Sequence, residues 1–325
     1  MRILVAGHWG NDPDATAAAL NGLATGINTK VPRAHVTVQP FGVGAVFAHA
    51  LGSTGARVIS VDHGDTSTYQ AGRAFRAHLG QVGRLYVEGG HHPWPDAGLG
   101  FLAGVLGEAE AERATLLSRL ASSLGALERF VQPHAVYVAA STRRPLVGMA
   151  SVLAIDPELR ARSDWSSAEI ATLTQAFAAH HANSARMDLP IVSAQRATQA
   201  DQLPGSGAGG GVGAVLAAVG VPLHDTGRIL SAGIGLERTM DNTDLLVVVE
   251  PHAHSPVLAE SQMGILTECA SHCAIPVVAV VQETSLSSHE RAQWGIHGVI
   301  THRGAHTISS FDALGQRLAH TWIPR

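Results

Sequence analysis

Eleven residues, Leu203 to Gly213 (LPGSGAGGGVG), hold six glycines and run at once into an apolar stretch, Val212 to Val219. Glycine tolerates positive φ and lets another group approach the backbone closely. A glycine loop that feeds a helix offers free N–H groups and the positive end of the helix dipole, a setting that suits a phosphate or carboxylate. On that reading Gly205, Gly207, Gly209, Gly210 and Gly211 are ligand-binding positions; the alternative is a flexible linker. The stretch is neither a dinucleotide fingerprint nor a P-loop. Both need a buried strand directly before the glycines, and a P-loop also needs Gly-Lys-Ser/Thr. Here the preceding AQRATQADQ is polar and helix-like.

Nineteen histidines are present, and His8, His91, His92, His252 and His254 fall at expected strand ends. His-x-His at a strand exit can ligate one metal ion, since imidazole suits zinc, copper and nickel. Solvated loop histidines are the alternative. Cys269 and Cys273 sit four apart in TECASHCA, with His272 between them. No second Cys/His pair has zinc-ligand spacing, which favours two thiols on the buried face of a helix. Arg143 and Arg144 are suited to clamp a carboxylate bidentately, or form a solvated pair.

Alternating short apolar runs and helical stretches must position these groups. Strands are expected at Ile3 to Ala6, Val36 to Val38, Arg57 to Val61, Leu85 to Val87, Ala135 to Ala139, Asp244 to Val249, Ile275 to Val281 and Gly298 to Ile300. The intervening stretches read as helices, except for an irregular Ser141 to Leu159 and a turn near Pro222 to Gly227. A helix is also expected over Ile191 to Ala200. Strand–helix alternation predicts an α/β fold with a doubly wound, mostly parallel sheet and a second, smaller lobe. The larger domain is expected to comprise 1–50, 67–133 and 201–325, and the lobe 51–66 and 134–200. Ligands of such sheets bind beyond the carboxyl ends of the strands.

Composition narrows the function classes. Apolar residues make up 46% and charged residues 15%, which is the balance of a well-cored globular protein. A net charge of −4 leaves no basic stripe for nucleic acid. No apolar run reaches the length of a membrane span. The chain opens on the strand-like MRILVAG with no signal-peptide core, so a cytoplasmic protein is expected. A homodimer is one option among oligomeric states.

Several motifs carry a resemblance. They are MRILVAG with its following loop and helix, the turn at Pro40, TSTYQAGRAFRAHLGQVGRLYVEGG, DAGLGFLAGVLG and RRPLVG. The most specific is LPGSGAGGGVGAVL, followed about thirty residues later by TDLLVVVE. In this order they resemble the bacterial glycerate kinases that phosphorylate D-glycerate with ATP. The resemblance implies a glycerate-kinase-like fold, ATP and Mg²⁺, and phosphorylation of glycerate or a related small hydroxy acid. It implies catalytic roles for Asp96 and Glu250, and cofactor contacts at Gly89, Gly90, Gly98 and the glycine loop. It places the substrate near His8, Asn11 and Arg144.

The departures from the family pattern bear on rate. The family's Asp-Ser-Phe-Lys-Gly loop reads here His8-Trp9-Gly10-Asn11-Asp12. Its Ala-Asp-Gly-Gly-Glu-Gly loop has become GVGAVF over Gly42 to Phe47, and His254 stands where an aspartate belongs. Phosphoryl transfer relies on carboxylate-held Mg²⁺ and on cations at the moving phosphate. Much reduced activity is therefore expected. The alternatives are a non-catalytic homologue that binds a metabolite or protein partner, and a histidine-lined transition-metal site at His252 and His254.

Overall fold

The computed structural model describes residues 1–61, 67–81, 83–90, 96–156, 161–162, 164–185, 199–254, 261–304 and 306–323. In chain order the strands and helices are β1 (Arg2–Gly7), α1 (Pro13–Lys30), β2 (His35–Pro40), α2 (Gly44–Gly52), β3 (Arg57–Ser60), α3 (Tyr69–His78) and β4 (Leu85–Gly89). Next come α4 (Leu99–Leu106), α5 (Arg113–Val131), β5 (Val136–Ala140), β6 (Ile155–Asp156), β7 (Ala161–Arg162), α6 (Ser167–Ala185), α7 (Val212–Ala218) and β8 (Leu223–Asp225). The chain continues with α8 (Thr226–Ile234), α9 (Leu236–Met240), β9 (Leu245–Val249), β10 (His252–Ala253) and α10 (Gln262–His272). It closes with β11 (Val277–Val281), β12 (Glu283–Thr284), α11 (Ser288–Gln293), β13 (Gly298–Thr301) and α12 (Ile308–Trp322).

The chain divides into two compact units, 1–54 with 227–325, and 55–226. The first is built on a five-stranded parallel sheet in the order β13-β11-β9-β1-β2. β9 reads LLVVV and β11 reads VVAVV; every residue of both is buried, as a central parallel strand covered on both faces requires. Asp12 caps α1, its side chain accepting from the Asp14 amide, and Pro13 takes the first helical turn. α1 and α12 pack through small residues. A Cβ on Gly26 would lie 2.0 Å from the Asp312 carbonyl oxygen, and one on Gly315 would lie 2.3 Å from that of Leu23. Phe311, Leu314 and Leu318 of α12 join Ile3, Val5, Leu20, Leu23 and Ile27 in this unit's core.

The second unit has its own four-stranded parallel sheet, β3-β4-β5-β8. Phe75, Phe101, Leu120, Leu124, Leu127 and Phe177 pack in its core. The mixed α/β class and the parallel sheets are as the alternation predicts. The expected boundary differs: it grouped 67–133 with the chain's two ends, whereas β4 in that span pairs with β3 and β5. Alternating β and α elements look alike in either sheet, so periodicity alone does not say which sheet a strand joins. The turn expected near Pro222 contains β8, whose LHD has no apolar run and earns its place by pairing with the edge of β5. The helix expected over Ile191 to Ala200 lies largely outside the described residues.

Candidate functional site

In the first unit the polar groups gather where β1 and its neighbour β9 end. Gly7 closes β1 at φ +137°, and a Cβ there would lie 2.0 Å from the Val249 carbonyl oxygen, so only glycine lets the two strand ends meet. The His8 amide donates to the Val249 carbonyl at 2.8 Å. His8 and Glu250 thereby leave adjacent strands side by side, with Nε2 and Oε1 4.0 Å apart. The other Glu250 oxygen accepts the Met263 amide of α10 at 2.9 Å. Burial pushes the Glu250 carboxyl up to about 7, against the pull of the Met263 amide. Burial also lowers the His8 imidazole; the Gly10 carbonyl, 3.1 Å from Nδ1, opposes that and the nearby His252 adds to it. A raised acid beside a lowered base is an arrangement able to hold or pass a proton near neutral pH. Asn11 is exposed and stands against Gly44, at the opening of α2.

His252 emerges two residues beyond Glu250 on β10, which pairs in parallel with β12, and His254 follows directly after that strand. Among the described residues, His252, His254 and Glu283 form a cluster whose ligand-type atoms all lie within 4.8 Å of one another. His8 is not part of it, and His91 and His92 lie outside the described residues. Nothing in the residue spacing pointed to Glu283. The one usable signal was its place just beyond β11, where the strand-exit rule also applies.

In the second unit the glycine loop is packed rather than open. Residues 205–216 are all buried. Gly209 donates to the Gly90 carbonyl at 2.8 Å, Gly207 to that of Arg144 at 3.0 Å, and Gly205 to that of Arg143 at 3.1 Å. The missing side chains are what let backbones touch. A Cβ on Gly89 would lie 2.6 Å from the Gly209 backbone, and one on Gly98 would lie 2.7 Å from Gly211. Gly209, Gly210 and Gly211 all take positive φ, which bends the loop tightly against β4 and the Asp96 turn. The structure thus brings Gly89, Gly90, Gly98, Gly205, Gly207, Gly209, Gly210 and Gly211 together in a largely buried, backbone-packed cluster. Such a buried, hydrogen-bonded loop is not a flexible linker.

Asp96 is buried in the same turn. One carboxylate oxygen accepts the Thr68 amide at 2.8 Å and its hydroxyl at 2.9 Å; the other accepts the Gly98 amide at 3.1 Å. The Thr68 hydroxyl in turn accepts the Phe101 amide at 2.8 Å. Asp96 therefore joins the N-terminal ends of α3 and α4, supplying acceptors to donors that helix starts leave unpaired. Burial raises its carboxyl, and these bonds pull it back down. Sequence reasoning missed a second buried acid, Glu88 on β4, which accepts from the Ser141 hydroxyl at the end of β5. Ser141 also pairs with Thr226 at 2.8 Å. Arg144 is partly exposed and its amide donates to the Thr142 hydroxyl at 3.1 Å.

Parallel sheets with acids, histidines and hydroxyls gathered at their strand exits define an α/β protein of the class whose sheets hold ligands at those exits. The chain belongs to the glycerate kinase family, whose model matches residues 5–316. A crystal structure from Salmonella typhimurium LT2, provisionally described as glycerate kinase 2, aligns with 99% of this chain and 98% of its own. Its TM-score is 0.65 at 14% identity, a likeness of fold. No curated protein matches the sequence. Among the described residues, no helix is long and apolar enough to cross a membrane.

Proposed function

We propose that this chain binds ATP and a small hydroxy acid of the glycerate type, and transfers the terminal phosphoryl group far more slowly than an intact phosphotransferase. In that reaction the substrate hydroxyl oxygen bonds to the γ-phosphorus, the bridging bond to ADP breaks, and the hydroxyl proton is released. Family membership supports the reaction class. The observation that carries the low rate is the engagement of Asp96, both of whose oxygens already accept bonds from the protein. Glu250 keeps one oxygen free of backbone donors, and is the group to receive the substrate hydroxyl.

Around Glu250 the described residues do not fit an all-oxygen Mg²⁺ shell, which requires near-octahedral hard donors. Glu250 has one oxygen on the Met263 amide, and the side chains two and four residues further on are the imidazoles of His252 and His254. The N–H groups of Gly205, Gly207 and Gly209 are spent on protein carbonyls, so they are not available to phosphates. A non-catalytic binder is the second reading, favoured by that same buried glycine loop. Calorimetric titration of ATP and D-glycerate, with phosphorus NMR of long incubations, separates the two. Binding with slow phosphoglycerate formation is expected. Binding without product selects the binder, and binding of neither ligand overturns both.

A further inference from the structure

We propose that His252, His254 and Glu283 form a binding site for a divalent transition-metal ion of the zinc type, separate from the phosphoryl-transfer reading. Three independent features of the site argue for it. The first is backbone placement. His252 lies on β10 and His254 follows directly after it, and the two imidazole rings stack with centroids 6.2 Å apart. The parallel pairing sets His252 directly opposite Glu283. The frame is pinned on both sides: the Gln282 and Glu283 amides donate to the Pro251 carbonyl at 2.8 and 3.1 Å, and the Thr284 hydroxyl donates to the Ala253 carbonyl at 2.8 Å.

The second feature is distance. Glu283 Oε1 lies 3.0 Å from His252 Nδ1 and 3.5 Å from His254 Nε2. Tetrahedral zinc with bonds of about 2.0–2.2 Å holds its ligand atoms roughly 3.3–3.6 Å apart. All three ligand atoms lie within 4.8 Å of one another, so small side-chain rotations close the set. The third is an outer partner. His254 Nδ1 is 2.9 Å from the Ser285 hydroxyl, and a proton on Nδ1 leaves Nε2 as the lone pair facing Glu283. Ligating histidines are held by such a bond on their other nitrogen.

Two imidazoles and one carboxylate suit zinc or its first-row neighbours, and do not suit Mg²⁺. Three protein ligands leave a fourth position open. His252 and Glu283 are exposed, so that position faces solvent and accepts water or an oxygen donor such as a carboxylate. An ion pair without metal makes the same short contacts, and the test must separate the two.

Zn²⁺ is titrated calorimetrically into the full chain at neutral pH, and Co²⁺ binding is followed by visible absorption. One tight ion per chain is expected, with the Co²⁺ spectrum of a four-coordinate site. His252→Ala with His254→Ala should weaken that ion by more than the roughly 10–100-fold that loss of an outer partner costs. Glu283→Gln, which keeps size and surface position, should weaken it by at least about tenfold, and Ser285→Ala by about tenfold. Circular dichroism matching the parent shows that the variants are folded. Unchanged affinity in the double variant, competition by millimolar Mg²⁺, or no binding heat overturns the proposal.

Discussion

Replacing Gly211 by alanine tests whether the glycine loop is a packing element. Gly211 sits at φ +117°, and an added Cβ would lie 2.4 Å from the Ala97 carbonyl oxygen and 2.6 Å from its carbon. The neighbour is backbone, held by the Asp96 turn, and has nowhere to go. Gly220, in the same unit, provides the reference: its φ is +82° and nothing lies within 4 Å of an added Cβ. Positive φ alone costs an alanine about 1–2 kcal/mol. Forcing a methyl into a filled site adds about 1–3 kcal/mol. Gly220→Ala should therefore lose only the first amount, and Gly211→Ala both, a difference of about 1–3 kcal/mol between them. Urea unfolding followed by circular dichroism measures each loss. Two variants that agree within about 0.5 kcal/mol, the range of an ordinary surface substitution, would refute the packed loop.

Other outcomes follow from the same contacts. Asp96→Ala leaves the Thr68 amide and hydroxyl and the Gly98 amide without their acceptor, and should cost about 2–4 kcal/mol in urea unfolding. Asp96→Asn, which keeps one acceptor oxygen, should lose less. Gly315→Ala gains about 1 kcal/mol of helix propensity. It also drives a methyl to 2.3 Å from the Leu23 carbonyl, and overpacking of about 1–3 kcal/mol outweighs the gain. Its thermal midpoint should fall; a rise contradicts the close α1–α12 contact. Arg2, by hydrogen bond and charge, holds the Asp244 carboxyl at about 2. A depressed acid stabilises above its unfolded value and loses that contribution as pH falls through about 2. The pair is exposed, so the effect is small. Urea midpoints of parent and Asp244→Asn should differ above pH 4, near the unfolded carboxylate value of about 3.9, and converge toward the folded value.

Much of the fold was legible because the central strands are long apolar runs. LLVVV and VVAVV allow few other readings, and the Asp12–Pro13 start of α1 announces itself. What was not legible depends on partners distant in sequence. β8 is a strand only because β5 offers an edge, and β3 to β5 form a second sheet because their neighbours are one another. At the site, Glu250 stood out by its place after a buried strand. The glycine loop and Asp96 were visible as residues, but their surroundings were not. The same glycines that could wrap an anion here admit the backbone of Gly90 and Ala97, and only coordinates tell these apart. Glu283 was overlooked because it comes two strands later in the chain than the histidines it meets.

The central claim is a glycerate kinase scaffold whose surviving acids are largely committed to its own structure. Loss of even one preorganised transition-state contact costs roughly a hundredfold or more in rate. The most direct measurement is ADP release with saturating ATP, D-glycerate and Mg²⁺, in the parent and in Glu250→Gln. Turnover at least about a hundredfold below an ordinary 1 s⁻¹, and lower still in the variant, is the expected result. Turnover on the order of 1 s⁻¹ or faster, abolished in Glu250→Gln, would contradict it.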